Sequence, residues 1–110
     1  MLDQKKLATK ILENIKSPIK VVHTTSSPSG TLAAYSGSQA TVSVTPPEGY
    51  SILTHIEAWN TGIIGIVTAL DTYVGNESTA RCYQFNARNA AASSRGTVHV
   101  LTLCIRDDLV

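Results

Sequence analysis

Apolar residues are spaced in two different ways along this chain. Leu7, Ala8, Ile11, Leu12 and Ile15 recur at intervals of three and four, on one stripe of a helix with 3.6 residues per turn. Asp3 stands where an N-cap belongs. Ser17-Pro18 stops the pattern, because a residue before proline is pushed out of the α region. The spacing therefore predicts one helix of about 14 residues within 1–17. So short a helix is marginal alone in water, and its stripe needs a partner. Three arrangements satisfy it: a trimeric stem, packing back on the rest of the chain, or a lysine-rich helix lying on an anionic membrane.

From residue 18 onward the period changes to two. Ile19 to Thr25 reads as a strand, and Ala40 to Thr45 alternates with Ala40, Val42 and Val44 on one face. Pro46-Pro47-Glu48-Gly49 breaks the chain before a longer strand, Ser51 to Trp59. Strict alternation there puts Ile52, Ile56 and Ala58 on one face and Leu53, His55, Glu57 and Trp59 on the other. Ile63 to Tyr73, Thr79 to Phe85 and Thr97 to Arg106 complete the set, with a small-residue loop from Asn86 to Arg95. Six strands with regular turn signals predict a mainly β fold, an antiparallel sandwich or barrel, over 18–110. In the last strand Val98 and Val100 share one face while Leu101, Leu103 and Ile105 share the other. A strand apolar on both faces is buried on both, which calls for a neighbouring subunit over the outer one.

Composition sharpens this division. All five lysines lie in the first 20 residues, which carry +3, and the other 90 residues carry −2, so the net +1 is a sum of unlike parts. The 11 serines and 13 threonines fall almost wholly in the β region. A pI near 7.8 argues against nucleic-acid binding by bulk charge. No apolar run approaches the roughly 20 residues of a membrane span, so a membrane partner is not expected.

Candidate chemistry is sparse. His23, His55 and His99 lie far apart without a short-spaced pair, so exposed strand histidines are expected and no metal. Cys82 and Cys104 fall mid-strand and read as buried free thiols rather than a disulfide or a zinc site. The serines sit in turns without a nucleophile elbow, and the acids form no evident catalytic pair. A non-enzymatic protein without cofactors is expected. Trp59 and Asn60, an aromatic at the head of a polar turn, are the candidate ligand contacts; Trp59 also suits a core or interface position.

The order of elements from Ala40 to Arg106 resembles the small C-terminal β-sandwich head domains of bacteriophage tail-fibre, receptor-binding and related virion appendage proteins. Gly49-Tyr50, the apolar strand Ile52 to Trp59, Arg88-Asn89 before a Ser/Ala-rich loop, and the closing strand Val98 to Ile105 carry the likeness. The resemblance implies a jelly-roll-like β-sandwich, a homotrimer on a short helical stem, and attachment of a virion made in a bacterial cytoplasm. Leu7, Ala8, Ile11, Leu12 and Ile15 would then form the stem interface, and Leu101, Leu103 and Ile105 the sandwich interface. Expected partners are further copies of the chain, other virion proteins and cell-surface carbohydrate. A carbohydrate-binding adhesion module and a capsid or baseplate component that binds only virion proteins are the competing expectations.

Overall fold

A computed structural model describes residues 3–8, 17–71, 78–88 and 93–109. Residues 4–8 are helical, and Asp3 caps them: its Oδ1 accepts the Lys6 backbone N–H at 3.2 Å while its carbonyl accepts that of Leu7. Residues 3–8 are all exposed, so none of the described residues covers Leu7 or Ala8. Ile11, Leu12 and Ile15 lie outside the described residues. The molecule extends 73 × 26 × 17 Å, with a radius of gyration of 19.2 Å. A compact chain of this length has about 13 Å.

Among the described residues eight strands follow: β1 (Ile19–Ser26), β2 (Thr31–Leu32), β3 (Gly37–Ser43), β4 (Tyr50–Thr61), β5 (Ile66–Leu70), β6 (Thr79–Asn86), β7 (Ser93–Ser94) and β8 (Thr97–Arg106). A 3₁₀ turn at Asp107–Leu109 comes after them. They form two three-stranded antiparallel sheets, β1-β8-β4 and β3-β6-β5, and a two-stranded ribbon, β2-β7. The pairing is nested: first strand with last, second with seventh, third with sixth.

One core joins the two sheets. Ala40, Val42, Ala80 and Cys82 come from one; Tyr50, Ile52, Val98, Val100 and Cys104 come from the other. Tyr50 reaches it through a tight turn in which its N–H bonds the Pro47 carbonyl at 3.0 Å. Gly49 takes φ 83° there, the left-handed conformation that the third position of a type II turn requires. The Tyr50 hydroxyl donates to the Ser17 carbonyl and so fastens the entry to β1.

Five of the six expected strands shift at an end, two of them by three residues at their start. Of the run expected from Ile63 to Tyr73, the described residues, which reach Asp71, are strand over Ile66–Leu70; positive φ at Gly62 and Gly65 turns the chain and leaves Ile64 on the surface. Tyr73 lies outside the described residues. β3 begins at Gly37 rather than Ala40, because Gly37 and Ser38 already pair with Phe85 and Gln84.

The larger correction concerns phase. β4 carries two bulges against β8, at Leu53 and at Ile56, where the register slips by one residue. Each slip reverses the alternation behind it. His55, expected outside beside Trp59, is turned into the core, where Nδ1 bonds Thr102 Oγ1 at 2.8 Å. Ile56, expected inside, is exposed.

Candidate functional site

The outer face of the β1-β8-β4 sheet holds the densest group of chemically distinctive side chains. Register places Trp59 directly opposite His99, with Thr25 opposite His99 on the other side. His23, opposite Leu101, and Thr61, opposite Thr97, are its diagonal neighbours. Diagonal cross-strand positions are within reach of long and aromatic side chains. His23 Nε2 lies 2.8 Å from His99 Nδ1, and His99 Nε2 lies 2.6 Å from Thr61 Oγ1. Three residues on three strands thus form one hydrogen-bonded chain.

The rings are arranged to suit it. The His23 and His99 centroids are 5.0 Å apart with 27° between planes, which exceeds the nitrogen separation by about two ring radii. The imidazoles therefore meet edge to edge, not face to face. The Trp59 ring is 5.3 Å from His23 and 5.1 Å from His99, nearly parallel to the latter at 8°. The indole spans the junction of the two imidazoles.

Below this cluster, toward the far end of β8, the same face is apolar. Leu101, Leu103 and Ile105 are half-buried; Ile19, Val21, Leu53 and Ile56 around them are exposed. The expected interface residues of the last strand therefore do face outward. The opposite side of β8 is sealed: Val98, Val100, Thr102 and Cys104 have no exposed surface.

Asn60 does not share Trp59's face. It is paired with Val98, and its Nδ2 donates to the Arg95 carbonyl at 2.8 Å. A ligand resting on Trp59 would not meet that amide. Arg95 itself ties the β7–β8 turn to the core: Nε donates to Gln84 Oε1 at 2.8 Å and Nη2 to the Gln39 carbonyl at 2.7 Å. Gln84, completely buried, returns its amide to the Arg95 carbonyl and to Thr68 Oγ1.

Both cysteines are free and sit in the core. Burial pushes both thiols up; for Cys82 the Asp71 carboxylate adds to it. Among the described residues no three His, Cys, Asp or Glu side chains converge as a metal cluster, and no helix is long and apolar enough to cross a membrane.

Sequence reasoning placed the three histidines apart, and for His23 and His99 the fold reverses this. They are 76 positions apart in the chain, and only the pairing of β1 with β8 unites them. Thr61 had only its place in the polar turn after Trp59, and the structure puts it in β4 instead. Gln84 had a local signal: with Ala80, Cys82 and Asn86 it occupies the inward phase of β6, where an uncharged amide is out of place unless bonded.

The fold defines a mainly β protein of two antiparallel sheets around one core. No family model matches the chain, and neither curated proteins nor solved structures show a match.

Proposed function

We propose that this chain is the non-enzymatic, homotrimeric head of a bacteriophage or prophage virion appendage, a jelly-roll-like β-sandwich on an N-terminal helical stem. The supporting observation is the outer face of the β1-β8-β4 sheet. Its lower half presents Ile19, Val21, Leu53, Leu101, Leu103 and Ile105 together, with Ser51, Thr54 and Glu57 interspersed and the Asp107 carboxylate bonded to Ser51. A continuous apolar patch of this kind marks an interaction surface. Further copies of the chain are the occupants proposed, because the stem's exposed Leu7 and Ala8 want a like partner as well. The nested strand pairing and the resemblance in element order support the head assignment. Three weak surface sites held on one rigid trimer would act together at high effective concentration, which is how such a head would attach.

Light scattering on the purified chain tests the assembly. The expected mass is that of three 11.7 kDa chains, falling to one chain in Leu103→Asp with an unchanged circular dichroism spectrum. A single-chain mass for the natural sequence at every concentration overturns the trimer. Attachment is tested by binding of the trimer to host cells and to a glycan array. Trp59, on the outer face beside His99 and two residues before Thr61, favours carbohydrate as a second reading, in which Trp59→Ala abolishes glycan binding without changing mass.

A further inference from the structure

We infer that His23 and His99 form a binding site for a divalent first-row transition cation, with His23 Nε2 and His99 Nδ1 as ligands. Thr61 is the positioning residue behind His99. The inference goes beyond the proposed trimer and does not rest on it, since both imidazoles come from one chain.

The hydrogen-bonded chain Thr61–His99–His23 can run in two directions. In one, the Thr61 hydroxyl donates to His99 Nε2, and His99 Nδ1–H donates to His23. In the other, His99 Nε2–H donates to Thr61 Oγ1 and leaves a lone pair on Nδ1 facing His23. The second is the arrangement of a metal-ligating histidine, whose remaining N–H is held by a neighbouring acceptor. His23 needs only to carry its proton on Nδ1 instead of Nε2. No proton is gained or lost in that tautomer change, and two lone pairs then converge.

The separation brings both nitrogens within reach of one ion. Bonds of about 2.0–2.1 Å place adjacent ligands of a tetragonal or octahedral centre about 2.8–3.0 Å apart, and those of a tetrahedral centre about 3.3–3.4 Å apart. The observed 2.8 Å is the length of the hydrogen bond that the ion would replace and lies within reach of either geometry; the order of affinities at nitrogen ligands then favours Cu²⁺ over Zn²⁺. Each ring must turn by roughly 45° so that both lone pairs leave the line between the nitrogens and meet on one ion. His23 is exposed, which gives the ion access and leaves its other positions to water. The chain's sole tryptophan lies 5.1–5.3 Å from both ligand rings, so its fluorescence reports this site alone.

The test is titration of the full chain with NiCl₂ and with CuCl₂ in a non-chelating buffer, followed by Trp59 fluorescence and reversed with EDTA. Saturable quenching at one ion per chain is expected, with Zn²⁺ binding more weakly. His23→Gln and His99→Gln should each weaken binding at least tenfold, and Thr61→Val about tenfold while keeping the stoichiometry. Binding should also weaken in acid, where protons compete for the ligand nitrogens. Calorimetry on Trp59→Phe should show binding retained, which separates reporter from ligand. Quenching that never saturates overturns the site, as does binding that survives in the folded His23→Gln/His99→Gln double variant. Zn²⁺ binding as tightly as Cu²⁺ overturns the expected order of cations. A single-chain mass would remove the trimer and leave this result untouched, so the two can fail separately.

Discussion

The two faces of β8 are both largely apolar and have opposite fates. Val98, Val100, Thr102 and Cys104 point inward and are sealed by the second sheet. Leu101, Leu103 and Ile105 point outward and remain half-covered. Hydrophobicity alone therefore does not decide which side of a central strand becomes core. The connection of β4 into β5 carries the chain across to the β3-β6-β5 sheet, and that sheet closes only one side. The inner face holds one chain together; in the proposed trimer the outer face would meet other chains.

Paired substitutions on the one strand separate these roles most sharply. Val100→Asp should unfold the domain, since an unpaired carboxylate in that core costs on the order of 4 kcal/mol or more. Leu103→Asp should leave single-chain folding within about 1 kcal/mol of the natural protein, because a charge there stays in water. Urea denaturation below the association concentration measures both. Equal losses for the two variants would mean that the faces do not differ.

A smaller effect tests whether the inner face tolerates polarity only when it is bonded. Arg95→Ala strips Gln84 Oε1 of its donor and should cost about 1–3 kcal/mol, the penalty for a buried acceptor left alone. Gln84→Leu together with Arg95→Ala should recover part of that loss in thermal melts, since the unpaired acceptor is then gone.

The smallest effect comes from the thiols, Cys82 on the inner side of β6 and Cys104 on the inner side of β8. Burial raises both, so above the usual thiol range of about 8.5–9 the unfolded chain ionises while the folded chain does not. The unfolded state then binds fewer protons, and stability should be full below that pH and decline as pH rises beyond it. Urea midpoints at pH 8 and pH 10 should show the fall, and Cys82→Ala/Cys104→Ala should shrink it. Both thiols should resist a thiol reagent until the protein is denatured.

Much of this comparison was legible in the sequence. The last strand was expected over Thr97 to Arg106 with its two apolar faces, and it forms there; β1 runs one residue further than expected. Alternation failed in the middle of β4, because no glycine or proline marks its bulges. Leu53 and Ile56 have ordinary strand chemistry, and the slip is set by how β4 must fit β8. The His23–His99–Thr61 cluster was not legible for a different reason. Its members belong to three strands, and no local pattern reports which strands become neighbours.

The nested pairing has a mechanical consequence. Ile19 is opposite Ile105, and the Arg106 N–H bonds the Pro18 carbonyl at 2.9 Å, so the segments entering β1 and leaving β8 lie side by side. Pulled apart at those two points, the β1–β8 ladder would open like a zipper, one rung at a time. Force entering at residue 18 and leaving at the opposite end of the sheet, near His23 and Trp59, would run along the strands and load every rung of the ladder together. A body tethered by a stem and gripped at its far tip would resist strain in its strong direction.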